Sequence, residues 1–164
     1  MEELERIARL FRESLAGNPW HGPSLGTVLE GIDADAAARC PPERSHSIWE
    51  IVLHLTGWTR EVANRLEGKV PESPARGDWP GPGPVDDAGW IAARADLFSA
   101  HEELIAALAG FPASRLSERI GGARDAPLGT GVTYREMILG ALQHDAYHAG
   151  QISLLKKHSD VHRP

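Results

Sequence analysis

The chain has 164 residues, 41% of them hydrophobic and 24% charged, with a formal net charge of −6; this fits one globular domain with a sizeable core. The acidic balance, with no basic cluster, argues against a nucleic-acid surface. No apolar run approaches the roughly 20 residues that span a bilayer. Cys40 is the single cysteine, which excludes an internal disulfide, and the acidic start Met1-Glu2-Glu3-Leu4-Glu5 is not a signal peptide, so a cytoplasmic protein is expected.

Leu4, Ile7, Ala8, Phe11 and Leu15 recur at helical spacing and predict a first helix over residues 2–16, ended by Asn18-Pro19. A short helical turn is expected around Ser24–Glu30. Cys40 reads as a small residue in the loop before Pro41-Pro42, with a nucleophile as the alternative. A second long helix runs from Ser47 to about Leu66, and Ser47 with Glu50 forms a capping-box pattern at its start. Residues 67–86 contain nine Gly or Pro, so no helix or central strand forms there. Helix three spans Asp87 to about Ala109, with Trp90, Leu97, Phe98, Leu104, Ile105 and Leu108 as its apolar stripe and Asp86 and Asp87 at the favourable end of its dipole. A polar loop rich in Gly and Arg follows. Helix four begins at Thr133, with Glu136 at the capping-box position, and continues to about Lys157.

Four amphipathic helices without strand signals predict an all-α protein, a four-helix bundle forming one domain over residues 1–164. The connection of about 20 residues between helices two and three can carry the chain back across the bundle and leave them parallel; an antiparallel pair with a large surface loop is the alternative.

Eight histidines are distributed unevenly. His144 and His148, four residues apart, lie about 40° apart on one helix face, one turn above the other. That spacing lets two imidazoles converge on one metal ion. Met137, Gly140 and Ala141 share this face and turn it inward, with the two small residues leaving room. Gln151 lies on the same face as the two histidines, placed to orient His148 or to touch a metal-bound water. A third ligand must come from another helix, and His54, mid-helix and beside the stripe of Ile48, Ile51, Leu55 and Val62, is the best candidate. Glu50 and Trp58 share its face. His101, in the stripe of helix three, reads as a hydrogen-bonded core histidine, with a fourth ligand or ligand support as the alternative. His46 belongs to the turn before helix two. His21, in a Pro/Gly loop, and the tail residues His158 and His162 read as solvated. Trp79 reads as a pin for the long connection, with a lid over the site as the alternative. Gly81-Pro82-Gly83 and Gly129-Thr130-Gly131 follow no strand, so neither is a nucleotide loop.

Two stretches, His46-Ser47-Ile48-Trp49-Glu50-Ile51-Val52-Leu53-His54 continuing to Trp58, and His144-Asp145-Ala146-Tyr147-His148-Ala149-Gly150-Gln151-Ile152, resemble the DinB superfamily of bacterial proteins (DinB/YfiT-like). The order and separation of the two stretches match, and helix count and chain length agree over nearly the whole chain. The resemblance implies a bundle of up-down-down-up topology, which the long 67–86 connection would serve. It also implies a divalent metal ion, nickel or zinc, on His54, His144 and His148.

Three imidazoles leave open positions on such an ion, and an open site favours chemistry over a structural role. The resemblance favours a metal-dependent thiol S-transferase or isomerase, using a low-molecular-weight thiol such as bacillithiol or mycothiol against a small electrophile. Glu50 and Gln151 are then the candidate catalytic or ligand-supporting groups. One alternative is a hydrolase using metal-bound water, with Glu50 or Glu61 as the base. Another is a non-catalytic metal-binding or dimerising scaffold. A homodimer suits such a bundle, although the pattern does not single out the face that would pair.

Overall fold

The computed structural model describes residues 2–40 and 46–161, without the side chains of 158–161. The Pro41-Pro42 loop and His162 therefore lie outside the described residues, as does the side chain of His158. The chain is helical: α1 Glu2–Ala16, α2 Leu25–Leu29, α3 Ala34–Ala38, α4 Ile48–Leu66, α5 Asp87–Gly110 and α6 Tyr134–Val161, with a 3-10 turn at Ala113–Ser117. Among the described residues there is no strand. Two isolated antiparallel bridges, Arg119 with Thr133 and Asp125 with Thr130, tie the loop before α6 to itself.

Three of the four long helices, α4, α5 and α6, begin where local chemistry satisfies their first N–H groups. Ser47 and Glu50 form the expected capping box at α4. Asp86 accepts from the Gly89 N–H at 2.7 Å at α5. Thr133 and Glu136 cap each other's backbone at α6, at 2.7 and 3.2 Å. At the end of α4, Gly68 takes φ +88°, and the Lys69 and Gly68 N–H groups bond back to Asn64 and Arg65 at 3.0 Å. That is a Schellman stop, which a residue with a Cβ would adopt only under strain. Helix α3 was not expected. Its five residues, Ala-Asp-Ala-Ala-Ala, are too few to show a period, and its signal is local: Asp33 accepts from the Ala36 N–H at 2.8 Å. Helix α6 also runs one turn further than its apolar pattern suggested.

Pairwise contacts set the helix directions. Trp49 and Trp90, at the starts of α4 and α5, lie with ring centroids 5.4 Å apart, and further along Arg60 bonds Asp96 at 2.7 Å and Glu103 at 3.0 Å. Thus α4 and α5 run the same way, as the long connection permits. The start of α4 (Ile48, Ile51) shares an apolar cluster with Ala149 and Ile152 late in α6. Its end (Val62, Leu66) shares another with Met137 and Ile138 early in α6. These two helices therefore run in opposite directions. Arg135 on α6 bonds Glu3 on α1 at 2.8 and 3.0 Å, which sets the starts of those two helices side by side. No helix of the described residues is long and apolar enough to cross a membrane.

Candidate metal centre

The antiparallel contact of α4 with α6 brings His54 opposite the His144–His148 pair. The His144 Nε2 lies 3.0 Å from the His54 Nε2 and 2.9 Å from the His148 Nε2. Two nitrogens bound at about 2.0–2.1 Å to one ion lie roughly 3 Å apart, so these separations suit a shared cation. His54 and His148 are buried, at 5% and 3% exposure, whereas His144 is half-buried.

The proton inventory makes the same point. The His54 Nδ1 faces the Asp78 carbonyl at 2.7 Å, and a carbonyl only accepts, so Nδ1 carries the hydrogen. The His148 Nδ1 faces the Gln151 Oε1 at 2.6 Å, while the Gln151 amide nitrogen donates to the Tyr147 hydroxyl at 3.1 Å. In neutral rings both Nε2 atoms are then bare lone pairs. The His144 Nε2 between them can supply at most one hydrogen. Three nitrogens converging with at most one hydrogen among them is the arrangement that a cation resolves, and the residues present fit one.

The rings are held neutral. Burial, followed by the neighbouring His148 and His54, pushes His144 down to about 4. Burial also lowers His54, partly opposed by Asp78, and lowers His148, partly opposed by Gln151. Although the Asp78 carboxylate is 3.2 Å from the His54 Nδ1, its exposure and the lowered ring make it a hydrogen-bond acceptor rather than one half of an ion pair. Neutral imidazole is the form that ligates a metal.

Gln151 sits where the helix angle put it, as the acceptor on His148. Glu50 does not face the site. Its Oε2 accepts from the Ser47 N–H at 2.8 Å and the Ser47 hydroxyl at 3.0 Å and lies 3.9 Å from the His46 Nδ1, so the helix cap engages the carboxylate away from His54, His144 and His148. Glu61 is likewise committed, to Arg65 at 2.9 Å and the Glu72 N–H at 2.8 Å. His101 is a fully buried core residue between the Leu97 carbonyl at 2.9 Å and Asp145 at 3.1 Å. Burial pulls its ring down, and the Asp145 carboxylate overcomes this, leaving His101 above its ordinary value. Gly140, expected on an inward face, is exposed at a cavity mouth. Cys40 is exposed.

The connection 67–86 contributes Asp78, which the sequence alone did not single out, and fixes the place of Trp79. Trp79 is sandwiched between His46 and His54, with ring centroids 3.5 and 3.8 Å apart and planes within 1° and 3° of parallel. Asp78 also accepts from the Trp58 indole at 2.6 Å. Asp78, Trp79, His46 and Tyr147 line, with the three histidines, an open cavity of about 560 Å³. Trp79 therefore serves both as pin and as cover. The sequence signal for this was Trp58 and His54 sharing one face, with a tryptophan in an otherwise Pro/Gly connection.

Fold and site together define an all-helical protein with a three-histidine centre able to hold one metal ion. The family model of the DinB superfamily matches residues 24–152, and the chain belongs to that superfamily. No curated protein and no solved structure matches the chain.

Proposed function

We propose that this protein is a metal-dependent thiol S-transferase. It joins a low-molecular-weight thiol of the bacillithiol or mycothiol type to a small electrophile, with nickel or zinc on His54, His144 and His148. The observation that carries this reading is the convergence of three neutral imidazole nitrogens on the wall of an open cavity. The bound ion would supply the positive charge that keeps a thiol ionised and therefore nucleophilic at neutral pH.

The chain's own groups do the rest. The Asp78 carbonyl and the Gln151 amide hold the hydrogens on Nδ1 of His54 and His148, which turns both Nε2 lone pairs toward one point. Trp79 and His46 cover one face of His54 and exclude water there. In the transfer the thiol gives up its proton to water, its sulfur forms the new bond, and the leaving group departs with the old bonding pair.

The hydrolase reading has less support, because Glu50 and Glu61 are both engaged in helix caps and loop ties. A purely structural metal site is usually closed by four protein ligands, whereas here three imidazoles line an open cavity.

The test is elemental analysis of untagged protein beside thiol-transfer assays. About one equivalent of nickel or zinc is expected, lost in H54A and H144A, with transfer lost in parallel. A metal-loaded protein whose spectrum and melting temperature ignore every thiol and thiol conjugate would overturn the reading.

A further inference from the structure

A second cavity, of about 410 Å³, opens on the other side of the metal centre. That is within the roughly 300–1,000 Å³ that small ligands occupy. His144 is the one side chain that lines both cavities. The walls of the second are largely apolar, with Val62, Pro127, Val132, Met137 and Ala141, and Arg124 stands among them.

The charges on this cavity are unequal. Arg65 is spent: it pairs with Glu61 at 2.9 Å and donates to the Leu128 carbonyl at 2.9 Å, which clamps the loop that forms the outer wall. Asp145 is the carboxylate on the wall, and His101 neutralises it from behind. Glu136 lies within reach of the Arg124 field, but its Oε2 is committed to Thr133 at 2.7 and 2.8 Å. Arg124 itself donates to the Thr130 carbonyl at 3.1 Å, and among the described residues no carboxylate pairs with it. An apolar cavity ending on a histidine of the candidate metal centre, with one exposed guanidinium that no carboxylate pairs with directly among the described residues, suits a small apolar molecule that carries an anion.

We propose that this cavity is the subsite of the electrophile, and that the electrophile is a small apolar carboxylate held by Arg124. The assignment rests on the thiol-transfer reading above; the recognition of a carboxylate does not. The thiol then occupies the cavity of Trp79, Tyr147 and Gln151, and the two reactants meet at His144 from opposite sides.

The test is a binding titration of the full-length protein, metal-loaded and metal-free, with trans-cinnamate and its neutral amide, followed by ligand-observed NMR. The acid should bind about tenfold more tightly than the amide, as one charge-assisted contact provides. R124Q should level the two. A Cβ at Gly140 meets nothing within 4 Å, so G140F places a ring in open space at the cavity and should abolish binding of both probes. Equal binding of acid and amide to the wild type would overturn the proposal, as would binding unchanged in G140F. A preference that vanishes on metal removal would place the anion on the ion and also overturn it. The expected binding without thiol transfer would keep the carboxylate cavity and remove the transferase reading. Transfer indifferent to R124Q and G140F would keep the transferase and remove this subsite.

Discussion

The Trp79 indole lies flat on the His54 imidazole, with centroids 3.8 Å apart and planes 3° from parallel. The residue before it, Asp78, accepts the His54 Nδ1 hydrogen through its backbone carbonyl. One dipeptide of the long connection thus holds a single ring orientation for the His54 imidazole that α4 supplies.

Replacing Trp79 should therefore loosen the metal without unfolding the bundle. W79A is expected to weaken affinity by about 10–100-fold, the usual cost of losing support around a ligand, and W79F should recover much of it. Competition titration with a chelator gives the affinities, and far-UV circular dichroism gives the helix content. Unchanged affinity in W79A would mean that α4 alone orients His54.

Gln151 should matter in the same way. Q151L removes the acceptor on the His148 Nδ1 and frees that ring to adopt the other tautomer, so metal affinity should fall by about 10–100-fold. E50Q is the contrast: Glu50 caps α4 and lies outside the cavity, so metal affinity should stay within about twofold, while helix capping loses up to about 1 kcal/mol. Urea unfolding and the chelator titration separate the two effects.

The metal-free protein should show a stability maximum near pH 6.5. His54, His144 and His148 have folded values below their ordinary 6.5, with His144 at about 4. The unfolded chain therefore binds more protons below pH 6.5, and stability falls as pH drops from there toward 4. His101 is raised, so its contribution is complete below pH 6.5 and fades as pH rises through its folded value. Denaturant melts of chelator-treated protein between pH 4.5 and 8 check this. A flat acid limb would show that the three rings titrate normally.

The buried His101–Asp145 pair gives a double-mutant test. H101L leaves the Asp145 carboxylate buried and uncompensated, and the expected loss is about 3–5 kcal/mol. H101L/D145L should recover most of it, since two apolar side chains leave no orphaned charge. If the double variant is no more stable than H101L, the pair is not coupled.

Periodicity and caps are local properties, and they were legible. The spacing of Leu4 to Leu15, the Ser47–Glu50 and Thr133–Glu136 boxes and the Gly/Pro content of residues 67–86 identify the long helices and their connection because each depends on neighbours within one or two turns. The i,i+4 spacing of His144 and His148 places two imidazoles on one face for the same reason. The five-residue α3 escaped because one turn of alanines carries no period.

Tertiary structure decided the remainder. Glu50 shares a helical face with His54, but Ser47 holds its carboxylate in the capping box that the local pattern already indicated; what packing added is the surroundings of His54. Asp78 and Trp79 sit in a segment with no period, so a lone tryptophan in a Gly/Pro connection was a hint but could not fix where they land; the parallel run of α4 and α5 carries the connection back over α4 and delivers them onto His54. The two cavities meeting at His144 have the same origin. Sequence determined which side chains each helix face presents. Packing determined which faces meet, since the gain from burying apolar surface is shared by residues far apart in the chain.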